Sequence, residues 1–362
     1  MPSGRATLDG TADYAARLAA RTAPGHFRRL GNLSVSSIGI GTYLGPADDA
    51  TDRSYQDSVV RALEAGLNVI DTASNYRHQR SERAVGRGLV EAIERGLVQR
   101  AEVVVASKAG FLPFDGARPA DPRAYIQQAF IDAGLMSWSD IVAGCHSLAP
   151  TYLREQIEQS RRNLGQRTVD VYYLHNPEMQ LEEVPRERFL ARMRDAFAEL
   201  ERACADDAIG CYGTATWAGY RVPPHHPGHL SMEELVRVAE QVGGAGHHFR
   251  VVQLPYNLRM PEARVMATQR VGGVQMPALD AASRLGLYVM ASASIEQGKL
   301  AANLPRGPGD NAGEGALRTS AQRALQYARS APGMGTALVG MKTPAHVDEN
   351  AAVAAVPPTT TT

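Results

Sequence analysis

The sequence predicts an α/β protein built as one closed (β/α)8 barrel, and three observations predict it. Eight apolar, largely β-branched runs recur: Ser37 to Gly41, Asn68 to Thr72, Val103 to Lys108, Val169 to His175, Ile209 to Thr214, Val251 to Tyr256, Leu287 to Ala291 and Thr336 to Gly340. Helical patterns lie between them, with Tyr55, Val59 and Leu63 on one face of the first and Leu153, Ile157 and Leu164 before the fourth strand. Near-continuous apolar strands alternating with amphipathic helices indicate a parallel sheet covered by helices. Eight such units favour closure into a TIM barrel over an open doubly wound sheet. The third observation is where the extra length falls. A barrel takes ~250 residues, and the surplus sits in an N-terminal arm and in three long loops, 111–149, 218–230 and 303–315, after the third, fifth and seventh strands. Loops that follow strands extend the C-terminal face, where barrel enzymes keep their sites.

Residues 1–25 are polar, Ala-rich and without clear period, and are expected to form a flexible arm. His26 to Val35 reads as a hairpin turning at Gly31-Asn32, a turn dipeptide. A single barrel domain then spans 26–355. Within it, Ser231-Met-Glu-Glu234 has the form of a capping box. Thr343-Pro344 supplies an N-cap followed by proline at the first helical position. The insertion 111–149 carries Phe111, Phe114, Tyr125, Phe130 and Trp138. It is either a lid or pocket wall beside Lys108 or an external helical pair. The Pro- and Thr-rich tail, 356–362, is expected to be disordered.

Composition narrows the function. Lys plus Arg and Asp plus Glu number 38 each, so neither a general nucleic-acid surface nor an acidic solvating tail is indicated. No apolar run approaches the ~20 residues of a membrane span, and Met1 to Pro24 lacks the apolar core of a secretory signal. Cys145, Cys204 and Cys211, an odd set without a Cys-x-x-Cys pair, read as free thiols. A cytoplasmic protein with a small-molecule partner, no nucleic acid and no membrane is expected; oligomeric state is open. Gly39-Ile-Gly-Thr-Tyr-Leu-Gly45 imitates a dinucleotide-binding glycine loop, but its spacing is one residue too long and Pro46 stands where the phosphate-binding helix should be under way. His225, His226 and His229 lack acidic or cysteine partners at set spacing, so an exposed loop is favoured over a metal site.

The strand ends carry the chemistry. Strand two ends in Asp71 and leads to Tyr76, strand three ends in Ser107-Lys108, and strand four in Leu174-His175-Asn176. Singly, Asp71 is a turn residue, Lys108 a salt-bridge cation and His175 a satisfied core histidine. Four polar groups closing apolar strands on one face are costly to bury without a purpose. A phenol has an ordinary pKa near ~10, too high for easy acid–base work at neutral pH. A lysine cation beside it would lower that value, an aspartate would hold the lysine charged, and a histidine could polarise a carbonyl.

These motifs resemble those of the aldo–keto reductase family. Asp71-Thr-Ala-Ser-Asn-Tyr76 resembles its Asp and Tyr pair, Val105-Ala-Ser-Lys108 its lysine strand, and Val169 to Pro177 its histidine strand. Val251 to Asn257 and Gly340 to Asn350 resemble its cofactor-binding segments. The resemblance runs from about Arg28 to Ala355. It implies an NAD(P)H-dependent oxidoreductase that reduces an aldehyde or ketone, or runs the reverse reaction. Tyr76 would be the proton donor, Lys108 and Asp71 its tuning pair, and His175 the orienting group. It also implies that Gly41, Thr42, Tyr43, Thr216, Gln253, Ala293, Ser294, Gln297, Lys299, Lys342, His346, Glu349 and Asn350 bind the cofactor, with NADP favoured over NAD through Lys342 and His346. No metal is implied. Two departures stand out. Ala215-Thr216 replaces the usual Ser-Asn pair, and Ser292 replaces an aromatic that stacks on the nicotinamide, a loss Trp217 could offset. They motivate an alternative, a cofactor-binding sensor or scaffold with little turnover. A redox-neutral isomerase or aldolase using Lys108 as a Schiff base is a third reading.

Overall fold

The computed structural model describes residues 4–302, 304 and 317–359. Eight parallel strands close into a barrel in chain order: β1 (Ile38–Gly41), β2 (Val69–Asp71), β3 (Val104–Ala109), β4 (Val169–His175), β5 (Ile209–Ala215), β6 (Phe249–Pro255), β7 (Tyr288–Ser292) and β8 (Thr336–Gly340). β8 returns to β1 with Ala337 opposite Ile38. Each expected strand is present, with ends shifted by at most two residues.

Strand periodicity divides the interior into two apolar layers. Ile70, Val105, Tyr172, Val252, Val289 and Val339 pack outward under the helices. Their neighbours Val69, Val104, Val171, Val251, Met290 and Leu338 fill the barrel, with Val35 of the hairpin. Successive strand side chains point to opposite faces, so residues two apart share one. Counting on from the inward set gives the top layer: Asp71, Lys108, His175, Gln253, Ser292 and Gly340. The polar strand ends therefore belong to the inside of the barrel, at its C-terminal mouth.

The hairpin forms as expected from Phe27–Leu30 and Leu33–Ser36, with Gly31 at φ +57° in its turn. The Ser231 hydroxyl accepts from the Glu234 amide at 3.2 Å, and Thr343 from His346 at 3.4 Å. The N-terminal arm is a correction. Leu8–Leu18 is a helix that Thr7 caps, accepting from the Gly10 amide at 3.1 Å. Thr11, Tyr14 and Leu18 are buried, a helical i, i+3, i+7 stripe that the surrounding Ala, Arg and Asp residues hid. The Tyr14 hydroxyl donates to the Leu63 carbonyl, and Arg17 forks onto Glu102 at 2.7 and 2.9 Å. The tail is also tied down where it is described. Gln326 donates to the Pro357 carbonyl at 2.7 Å, and Ser330 accepts from the Thr359 amide at 3.0 Å. The rest of the tail and, apart from Leu304, the expected loop 303–315 lie outside the described residues.

The insertion 111–149 packs on the flank of the barrel. Pro122–Ile126 is a helix that continues as a π turn through Ile131, and Ile141–Val142 pairs antiparallel with His146–Ser147. Phe130 meets Tyr152 of the next helix edge-on, with ring centroids 5.6 Å apart. Residues 218–230 likewise fold inward on buried Tyr220 and Leu230, and His229 meets the Thr268 carbonyl at 2.8 Å. Among the described residues no helix is long and apolar enough to cross a membrane.

Candidate active site

Asp71 ends β2 beside Gly41 of β1 and Ala106 of β3. The chain then bends over the end of β3: the Ser74 amide and hydroxyl both donate to the Lys108 carbonyl, at 3.2 and 3.1 Å. That bend lays Tyr76 on Lys108. Three left-handed residues follow, Arg77, His78 and Gln79, with φ of 49°, 58° and 69°. Side chains with a Cβ rarely adopt this conformation, so something must hold it. Buried Arg77 does, donating to the Pro46 carbonyl at 2.8 Å and pairing with Asp52 at 2.5 Å.

Lys108 is fully buried, and all three of its N–H groups are used. They reach Asp71 Oδ2 at 2.6 Å, the Thr72 carbonyl at 2.8 Å and the Tyr76 hydroxyl oxygen at 3.2 Å. Across the barrel, Gln253 Nε2 donates to Asp71 Oδ1 at 2.8 Å. The Tyr76 ring meets His175 edge-on, centroids 5.8 Å apart, and Tyr43 at 5.0 Å. The four residues expected to do the chemistry therefore stand together.

Burial opposes the charge on Lys108, but Asp71 and then Tyr76 outweigh it and hold its pKa above the ordinary value. For Tyr76 the balance differs from expectation. Burial pushes the phenol up; the Lys108 ammonium counteracts this without overcoming it, and Asp71 adds to the rise. The net direction is upward, so at neutral pH the phenol keeps its proton. Its oxygen accepts from Lys108, leaving the O–H free to donate. Burial, followed by the charge of Lys108, drives His175 well below its usual value, so its imidazole is neutral.

A cavity of about 650 Å³ opens on Tyr76 and His175 and runs along the mouth. Gly41, Thr42, Tyr43, Thr216, Gln253, Ala293, Ser294, Gln297, Lys342, His346, Glu349 and Asn350 line it. Lys299 does not. Its exposed ammonium faces Glu296 at 3.6 Å, because the backbone turns through left-handed Gln297 and Gly298 just before it. Ser292 and Trp217 also line the cavity. No residue of 111–149 or 218–230 lines it, which favours the external packing reading of the insertion over the pocket-wall one.

The lining fits an extended polar ligand. Thr216 Oγ1, Asn350 Oδ1, Asn75 Oδ1 and His175 Nδ1 are buried with no partner among the described residues, and an unsatisfied buried group costs about 1–3 kcal/mol. The loop after β7 keeps Ala293, Glu296 and Gln297 at φ of 53°, 49° and 55°, held partly by Asn257, which donates to the Ala293 carbonyl at 2.9 Å.

Sequence reasoning missed the residues that hold this site from behind. Glu178 Oε1 accepts from the amides of Trp217, Ala218 and Gly219 at 2.8, 3.0 and 3.3 Å, fixing the loop that presents Thr216. His146 meets the His175 carbonyl at 2.7 Å. Neither carried a motif, since their partners lie about 30 to 40 residues away in the chain.

Residues 37–220 match the model of the Aldo/keto reductase family. The NADH-specific methylglyoxal reductase of Escherichia coli (strain K12) is 27% identical over 149 residues, 40% of this chain and 39% of that protein. Matches to curated relatives span 23%, 39% and 19% of those proteins' lengths. Aldo-keto reductase AKR11C1 from Bacillus halodurans superposes with a TM-score of 0.60 at 19% identity, covering 92% of each chain. An aldo/keto reductase from Klebsiella pneumoniae, solved with NADP and acetate, gives 0.56 at 20% identity, covering 89% of this chain and 87% of that one.

Proposed function

The chain belongs to the aldo/keto reductase family, and on that premise we propose that it is an NAD(P)H-dependent oxidoreductase interconverting an aldehyde or ketone and its alcohol, with Tyr76 as the proton donor. The observation that carries this reading is the Asp71–Lys108–Tyr76 chain at the floor of the cavity, with His175 beside it. Neutral His175 donates a hydrogen bond to the substrate carbonyl oxygen and draws charge onto it. As that oxygen becomes an alkoxide, Tyr76 releases its proton to it. The Lys108 ammonium stabilises the phenolate left behind, and Asp71 keeps Lys108 charged and in place.

When bound, the nicotinamide cofactor supplies the hydride. Thr216 and Asn350 would hold it through their unpartnered oxygens, and Gln253 through its amide oxygen, its nitrogen being bound to Asp71. Lys342 and His346 in the cavity lining support NADP over NAD. The named cofactors of the relatives, NADP in one and NADH in another, are compatible with either choice.

A Schiff-base role for Lys108 fits the geometry poorly. Such a lysine must be neutral to attack a carbonyl, whereas Lys108 is held charged with its three donors taken. The experiment is oxidation of NADPH and NADH with a panel of aldehydes and ketones. Steady turnover with at least one carbonyl is expected. Tight cofactor binding without turnover across the panel would favour the scaffold reading.

A further inference from the structure

Among the described residues, the His175 ring has no partner at Nδ1. Its direction therefore has to come from the aromatic edges around it and from its own backbone. That backbone is pinned on both sides. The amide of Asn176, itself left-handed at φ 48°, donates to the Ala215 carbonyl at 2.6 Å. The carbonyl of His175 meets His146 Nε2 at 2.7 Å.

His146 is buried without exposure, and its other nitrogen is also used, by Gln180 Nε2 at 2.9 Å. The orientation of this chain can be worked out from its far end. Arginine only donates, and Arg192 reaches both the Gln180 amide oxygen and the Ser139 carbonyl, the latter at 2.9 Å. Gln180 must therefore turn its oxygen to Arg192 and its N–H to His146 Nδ1. His146 then accepts at Nδ1 and carries its proton on Nε2, as a donor to the His175 carbonyl. The approach needs Gly110, at φ +143°, since a Cβ there would lie 2.7 Å from His146 Nε2 and 2.8 Å from the His175 carbonyl oxygen. Phe111 sets its ring edge-on to both imidazoles, at 5.4 Å from His146 and 5.0 Å from His175.

We infer that His146 is a positioning residue for the carbonyl chemistry, holding the His175 imidazole in place through the His175 carbonyl. The insertion that carries it thus enters the reaction without lining the cavity. The inference rests on His175 orienting the substrate oxygen, as proposed above. A displacement of about 1 Å at a reacting group costs up to ~100-fold in rate, so a loosened His175 is expected to show chiefly in kcat.

The test uses the full chain with its reduced cofactor and the carbonyl it turns over best. In His146→Leu, kcat is expected to fall about ten- to a hundred-fold, with cofactor affinity, read by fluorescence titration, unchanged. His146→Gln, whose side-chain N–H can serve the same carbonyl, is expected to recover most of the loss. Should His146→Leu fail to fold, Gln180→Leu removes the partner that sets the tautomer and is expected to lower kcat selectively as well. Wild-type kcat in folded His146→Leu or Gln180→Leu overturns the inference, as does a joint loss of kcat and cofactor affinity that glutamine does not rescue. His175→Ala separates the two levels. If it loses kcat and His146→Leu does not, this inference fails and the proposed function stands. If neither loses kcat, the role given to His175 fails with it.

Discussion

At the scale of single residues, the site works by giving each polar atom one task. Lys108 spends its donors on Asp71, Thr72 and Tyr76, and Asp71 divides its oxygens between Lys108 and Gln253. Removing one partner of such a buried pair typically costs about 3–5 kcal/mol, because a charge is stranded. Among the residues proposed to hold the cofactor, Lys342 gives the sharpest prediction. Lys342→Ala is expected to weaken NADP by about ten- to a hundred-fold, the worth of one charge-assisted contact, and to leave NAD affinity unchanged. Parallel titrations of the two cofactors measure this. An equal loss for both, or for neither, would remove Lys342 from the 2′-phosphate.

At the scale of elements, strand parity explains why so much of the site was legible. Asp71, Lys108, His175 and Gln253 stand two or four residues beyond inward-facing Val69, Val104, Val171 and Val251, so an alternating strand pattern already aims them at the mouth. What stayed hidden depends on contacts between distant segments. His146 sits on a two-residue strand and Glu178 in a 3-10 turn, elements too short to show a period. The upward net shift of Tyr76 was hidden as well, since burial cannot be weighed against a lysine from residue order. The first helix failed for another reason: its stripe of Thr11, Tyr14 and Leu18 is only three residues wide amid Ala, Asp and Arg. That helix is structural, and Tyr14→Ala is expected to destabilise the fold by roughly 3 kcal/mol or more while kcat at a permissive temperature holds. Urea unfolding measures the first quantity. An unchanged midpoint would mean the helix contributes little to stability.

At the scale of the whole molecule, the barrel buries histidines in their neutral form. Burial takes His26, between the Gly66 carbonyl and Ser37, from 6.5 to about 4, and His146 likewise to about 4. His175 is also driven down. For such groups the unfolded chain binds protons that the folded chain does not, so stability rises with pH across the gap. Their contribution is complete above about pH 6.5 and is lost as the pH falls toward about 4, by a few kcal/mol in order of magnitude. Urea midpoints measured across that window are expected to fall steeply on acidification, and His26→Gln is expected to flatten the slope. A midpoint independent of pH there would contradict neutral burial.

The account turns on one proton. Tyr76→Phe removes it and keeps the ring against Tyr43 and His175. The most direct measurement is kcat for carbonyl reduction in this variant beside its affinity for the reduced cofactor. The account predicts a fall in kcat of about 10²- to 10⁴-fold with cofactor affinity intact, and undiminished turnover would contradict it.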